Sequence, residues 1–381
     1  MPDYFPTKLA LGTQFCNRTD EKATLHDNIK LCRHTVLVAP RRYGKSSLVF
    51  KVVSEAGLPL ASIDLFLAND DAAVTKRMLA GVAQAISAIM PIEQKVLVKL
   101  QQVFGNFRVS LTASGFSLDA SMDAASFDPI DQVFSALKGL DKLAKQQQQK
   151  VIVFIDEFQD IREAGNSKSL QGAIRHVAQE TENIVFIFSG SNRHLLTELF
   201  DDSTMPLYML YDMLYLDRIA SKDYLPHLQK LAKKTWNKPL PDIVFNKIMA
   251  LTELHSYYVN LLCHELWKLK QLPSLDDVFA SWQRCYDVQE DRLVAELEKL
   301  TVKQRIVLQA LATDATTEPM GQQFVAVTKS SASTINQTLK ALIQKDMAHR
   351  VKREDSAVPQ LAEGQYRVLD PLLAFALRKY A

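Results

Sequence analysis

Within Ala39–Leu48, APRRYGKSSL, the chain places Gly44, Lys45 and Ser46 in consecutive positions. A phosphate-binding loop of the form G-x-x-x-x-G-K-[ST] needs a run of backbone N–H groups curled around a β-phosphate. It also needs an ammonium for the β- and γ-oxygens and a hydroxyl for a metal ion. Gly44, Lys45, Ser46 and Ser47 supply those groups, and Pro40, Arg41, Arg42 and Tyr43 complete the loop. Ala39 stands where the pattern has its first glycine. That position closes the turn out of the preceding strand, where alanine costs little provided φ is negative.

More than a hundred residues later, VIVFI at 151–155 runs into Asp156, Glu157, Phe158, Gln159 and Asp160. A carboxylate at the tip of a central strand holds Mg2+ opposite the loop hydroxyl, so Ser46 and Asp156 are the expected metal ligands. The adjacent Glu157 is placed to polarise an attacking water, and with Lys45 it makes the expected catalytic pair. Taken alone, an Asp-Glu pair after an apolar run serves equally well as a helix cap with a charge that suits the dipole. Its pairing with an upstream loop of the right form is what points to a nucleoside triphosphate.

These groups need a scaffold that brings strand ends together. HTVLVAP at 34–40 reads as a buried strand feeding the loop, and Ser46–Glu55 as a helix with Leu48, Val49, Val52 and Val53 facing inward. A second strand is expected at Leu58–Phe66, then a helix from Asp71 to Met90 ended by Pro91. NFRVSLTASGFSLDAS at 106–121 alternates as a β-hairpin, and Pro129 opens a helix that runs out in KQQQQK. VIVFI at 151–155 and NIVFIF at 183–188 are apolar throughout, which places them mid-sheet with helices on both sides. A fifth strand is expected at 213–219. The class is α/β: a three-layer αβα fold with a mostly parallel sheet.

From Ser221 to Leu300 the period is helical, with breaks expected at Pro226, NKPLPD (237–242) and LPSLDD (272–277). The remainder reads helix, short helix, helix and two-stranded wing, which is the winged-helix order. The 381 residues exceed one ordinary core of roughly 100 to 200 residues, so two or three domains are expected. With 45 basic against 43 acidic residues, no global field favours nucleic acid or a membrane surface. Cys16, Cys32, Cys263 and Cys285 show no C-x-x-C or metal spacing, as in a reduced compartment. No signal peptide or run of about 18 apolar residues is evident, so the expectation is a cytoplasmic protein without membrane contact.

The combination of FCNRTDE (15–21), PRRYGKSSL (40–48), DEFQD (156–160), SGSNR (189–193) and PLY (206–208) resembles the archaeal-type ATPases, a STAND branch of the AAA+ superfamily. The resemblance spans nearly the whole length. It implies a P-loop ATPase domain over 1–219 with the hairpin inserted near 106–121, a helical lid over 220–297 and a winged helix over 298–381. It also implies ATP and Mg2+ as cofactors, slow hydrolysis of ATP to ADP, and homo-oligomers as a possible assembly. Phe15, Asn17 and Arg18 are implied near the adenine, and Ser191 or Asn192 as the sensor of the γ-phosphate. On the residues alone, Phe15 also fits a core position and SGSN a helix cap. Arg41 and Arg42 approach phosphate or a neighbouring subunit, or are solvated.

Two family elements are altered. PLYGR is PLYML here, without the arginine at Leu210, and GGHPYY is ELHSYY at 253–258, with Ser256 in the proline's place. Both couple nucleotide state to lid position in relatives, so regulation or turnover is expected to differ. His255 either reaches the nucleotide or is a surface or capping residue. In the winged helix, Ser330–Gln344 would enter a DNA groove, flanked by Lys329, Lys340 and Lys345 and by His349, Arg350, Lys352 and Arg353 of the wing. Asp346, Glu354 and Asp355 dilute that patch, which leaves duplex DNA and a protein as alternative partners.

Overall fold

A computed structural model describes residues 4–120 and 128–379. It divides into two compact units. One comprises Arg18–Arg41 and Lys45–Leu216, and the other comprises Met1–Asn17, Arg42–Gly44 and Asp217–Ala381.

The first unit is α/β. In chain order its elements are α1 (Thr19–Lys30), β1 (Thr35–Val38), α2 (Lys45–Ala56), β2 (Leu60–Asp64), α3 (Asp71–Ile89) and α4 (Gln94–Val103). Then come β3 (Phe107–Thr112), β4 (Gly115–Ala120), α5 (Pro129–Gln146), β5 (Val151–Asp156), α6 (Ser167–Glu180), β6 (Ile184–Gly190), α7 (Arg193–Asp201) and β7 (Asp212–Tyr215). The five-stranded sheet has the order β2-β5-β6-β1-β7, and every pairing in it is parallel. All of β6 and all but the last residue of β5 are buried, as their uninterrupted apolar runs require. α3, α5 and α6 pack side by side, and α1 packs on α2.

The hairpin forms as expected; residue 121 of the anticipated span lies outside the described residues. Phe107, Val109, Phe116 and Leu118 turn inward and join the main core, so the insertion is part of the packing. Ser87 Oγ of α3 accepts from the Phe116 amide at 2.9 Å. The chain approaches Ser87 so closely here that a Cβ on Gly115 (φ +128) would overlap it. The strand expected at 213–219 ends earlier, at Tyr215, and Leu216 makes the last bond to β1, its amide donating to the Val38 carbonyl at 3.1 Å.

The second unit contains α8 (Ser221–Trp236), α9 (Asp242–Thr252), α10 (Ser256–Leu266), α11 (Leu275–Glu298), α12 (Val302–Thr313), α13 (Gln322–Thr328) and α14 (Ala332–Gln344). A short antiparallel hairpin, β8 (Ala348–Arg350) with β9 (Tyr366–Val368), precedes α15 (Pro371–Lys379). One apolar cluster runs from α8 through α15. The break expected at Pro226 does not occur: α8 continues through it. The bond that Pro226 forgoes would run to Lys222 in the first turn, where little of the helix lies upstream. The breaks at 237–242 and 272–277 are present, the second sealed by a Ser274–Asp277 capping box.

Three residues in the PLYML and ELHSYY segments have left-handed backbone without glycine: Met209 (φ +52), Glu253 (φ +46) and Leu254 (φ +63). Such a conformation costs a residue with a Cβ about 1–2 kcal/mol. Leu210 packs against the core of the α/β unit. No helix among the described residues is long and apolar enough to cross a membrane.

Candidate nucleotide site

β1 ends at Val38, beside Gly190 of β6, and the chain then turns through Ala39–Gly44 into α2. Ala39 is buried and is not among the residues with positive φ, so the condition that lets alanine replace the first glycine is met. Gly44 has φ +83, a conformation that disfavours any side chain. Lys45 opens α2, and its ammonium lies within the loop, donating to the carbonyl oxygens of Ala39 and Pro40 at 3.1 Å each. Ser46 and Ser47 follow in the first turn, where helix N–H groups lack intrahelical acceptors and favour an anion.

The acidic half-site meets this loop. Ser46 Oγ donates to Asp156 Oδ2 at 2.7 Å, joining residues 110 positions apart in sequence. Ser189 of β6 donates its hydroxyl to Asp156 Oδ1, and the Glu157 amide donates to the same oxygen at 3.0 Å. β6 lies between the two strands that carry the half-sites, so Ser189 stands directly beside the tip of β5.

Glu157 sits in left-handed backbone (φ +49), immediately before the 3-10 turn Phe158–Glu163. Its Oε2 accepts three bonds: from Gln159 Nε2 at 2.8 Å, from the Ser191 amide at 3.0 Å and from the Ser191 hydroxyl at 2.7 Å. Burial alone would raise its pKa. The bonds from Gln159 and Ser191, with the positive charge of Lys45, outweigh that and hold it below the usual glutamate range. Asp160 moves the other way, lifted by burial and by the neighbouring Glu157 charge.

Gln159 bridges the pair, since Nε2 also donates to Asp160 Oδ1 at 3.0 Å. This fixes its amide and turns Oε1 toward Gly190, where the oxygen is buried without a partner. A Cβ at position 190 would overlap Gln159 Oε1. Gly190→Ala should therefore displace Gln159, destabilise the α/β unit by about 1–3 kcal/mol and slow any reaction that uses Glu157. Thermal denaturation of the variant checks this, and an unchanged Tm would mean that Gln159 relocates freely.

The structure thus brings together Lys45, Ser46, Asp156, Glu157 and Ser191. Asn192 has a different local role, because its Oδ1 accepts from the Leu195 amide at 3.1 Å and caps α7. Asn17 and Arg18 both adopt left-handed backbone, and buried Arg18 pairs with Glu21 at 2.9 Å. Phe15 is half-buried. Arg41 is exposed, with its guanidinium 5.9 Å from the Phe66 ring centroid. Ser189 and Gln159 were the residues missed as participants. Their only sequence signal was membership in SGSNR and DEFQD.

The loop residues Arg42–Gly44 group with the helical unit. Arg42 lies 4.2 Å over the Tyr257 ring, and its carbonyl accepts from Ser256 Oγ at 3.3 Å. Tyr43 is buried, edge-on to His255 at 4.9 Å, and accepts from Arg218 Nε at 3.2 Å. His255 is itself buried between Tyr43 and Tyr258, so it is not the surface residue its position at a helix start suggested. Its Nδ1 has no partner, and burial together with the charges of Arg218 and Arg42 holds it neutral, well below the usual histidine range.

A family model described as "Probable winged helix domain" matches residues 293–379. No curated protein matches the chain. Among solved structures, the Walker-type ATPase of Pyrococcus abyssi is 19% identical with a TM-score of 0.67, over 98% of this chain and 99% of that one. The ORC2 protein of Aeropyrum pernix, in ADPNP–ADP complexes, is 14% identical with a TM-score of 0.57, over 99% of this chain and 95% of that one. At such identities the likeness is one of fold: the chain has the α/β fold of a P-loop ATPase followed by a winged helix.

Proposed function

We propose that this chain is a Mg2+-dependent P-loop ATPase of the STAND class within the AAA+ superfamily, cytoplasmic, and working as a slow nucleotide-controlled switch. The observation that carries the reading is the 2.7 Å bond between Ser46 and Asp156, beside Lys45 and Glu157. The hydroxyl and carboxylate are hard oxygen donors of the kind Mg2+ takes, and that ion keeps the rest of its shell for phosphate and water. When bound, Mg2+ neutralises charge on the β- and γ-phosphates.

In this reading Lys45 leaves the loop carbonyls for the β- and γ-oxygens, and the N–H groups of Gly44–Ser47 take the β-phosphate. Pro40, Arg41, Arg42 and Tyr43 shape the loop, while Asn17 and Arg18 approach the adenine. Glu157 orients water for in-line attack through its Oε1, since the three bonds to Oε2 fix the carboxylate. Ser191 acts through Glu157, and Asn192 reports the γ-phosphate through the start of α7. The working division is an ATPase domain over 1–219, a lid over 220–297 and a winged helix over 298–381.

For the winged helix, a protein partner or a second copy of the chain is favoured over duplex DNA. Arg350 Nε donates to Gly364 O, Arg353 to Arg218 O and Lys345 to Gln304 Oε1, so several cations of the patch are engaged internally. Calorimetry with ATP and Mg2+, with light scattering and phosphate release on the same sample, tests the proposal. Binding with slow phosphate release supports it. Binding without release points to a structural nucleotide, and no binding removes the reading altogether.

A further inference from the structure

Arg218 lies just beyond β7, at the start of the helical unit, and only 8% of its side chain is exposed. A guanidinium carries five N–H donors. Here Nε donates to Tyr43 Oη (3.2 Å), and Nη1 to the Glu253 carbonyl (2.7 Å) and Glu253 Oε2 (3.1 Å). Nη2 reaches His349 Nε2 (3.2 Å) and the Leu369 carbonyl (2.8 Å). The acceptors come from four separate segments: the phosphate loop, the α9–α10 turn, β8, and the residue after β9. Glu253 gives its other oxygen to Arg367 of β9 at 2.9 Å, so one buried carboxylate serves two guanidiniums.

Lysine, with three donors on a point charge, could not reproduce this planar fork. The two acceptors on Nη2 both belong to the winged hairpin or its exit. The acceptor on Nε is the hydroxyl of the residue immediately before Gly44 and Lys45. The orientation of one rigid plane therefore joins the hairpin to the loop that would take the phosphates.

We propose that Arg218 is a positioning residue for the phosphate loop, set through Tyr43, and that the winged hairpin controls it through His349 and the Leu369 carbonyl. This rests on the ATPase reading. A partner that displaces the hairpin removes two of the five acceptors, and the guanidinium then re-aims on Glu253 and loosens its hold on Tyr43.

The test is a double-mutant cycle on the full chain, with ATP affinity in Mg2+ measured by calorimetry and folding checked by thermal denaturation. Tyr43→Phe and His349→Ala should each weaken binding about three- to tenfold, because each removes a bond that holds the loop rather than one made to the nucleotide itself. Because both act through Arg218, the double variant should be no weaker than the weaker single. His349→Gln, whose amide oxygen falls near the Nε2 position, should restore affinity. Should His349→Ala fail to fold, His349→Asn, too short to reach Arg218, takes its place. Wild-type affinity in the His349 variant, losses that multiply, or a Gln variant as weak as Ala would overturn the inference while leaving the nucleotide site standing. A wild-type chain that takes up no ATP overturns both.

Discussion

Lys45→Ala is expected to weaken ATP binding at least about a hundredfold, which in calorimetry reads as loss of measurable heat at micromolar protein. The ammonium has two phosphate oxygens to meet, and each charge-assisted bond is worth about 1.5–3 kcal/mol. Removal also takes away the group that ties the Ala39 and Pro40 carbonyls into the loop. Lys45→Met separates the loss of the ammonium from the loss of side-chain packing: it keeps the stem and loses the charge and both carbonyl bonds. Affinity equal to wild type in either variant would remove Lys45 from the site.

Glu157→Gln should leave ATP affinity within a few-fold of wild type and lower kcat by about 10²–10⁴, the usual share of a positioned general base. The amide oxygen of glutamine can accept the bonds that Ser191 and Gln159 make to Oε2, so the local geometry should survive. What is lost is the negative charge that orients water. Because the Glu157 pKa is lowered, the carboxylate persists through neutral and mildly acid pH. Its contribution to stability is present above the unfolded glutamate value and is lost only as pH falls through the lower folded value. Any change in rate between about pH 6 and 8 would then arise from another group. Phosphate-release assays across that range, on wild type and the Gln variant, check both statements.

The central strands were legible because their environment writes itself into composition: β5 and β6 are apolar on both faces and buried on both. The hairpin, the loop and the Asp156 tip followed from alternation and spacing. α4 was unread because it is short and fully buries only Val96 and Leu100, which leaves a weak stripe between Pro91 and the hairpin. α1 was unread for a similar reason, since it is mostly polar and buries Leu25, Asn28 and Ile29. In the site, the partnership of Ser46 with Asp156 was readable from chemistry alone. Ser189 was not, because its role depends on β6 lying between β5 and β1, which is a matter of strand order. Gln159 depends on the turn after Glu157 and on the missing Cβ at Gly190. The Arg218 fork draws acceptors from residues 43 to 369, and no local pattern anticipates it.

The neighbours of β1 bear on how the chain is made. Thr35–Val38, all four buried, pair among the described residues with Ile187–Gly190 and Asp212–Tyr215. On a ribosome adding about 5–20 residues per second, this sticky strand waits roughly ten to thirty seconds for its first partner. During that interval β1 has neither of the strands that cover its edges in the folded sheet. In the ATPase reading, ATP could not act as a template before β6 emerges, because Ser189 and Ser191, which hold Asp156 and Glu157, come only with that strand and the residue after it.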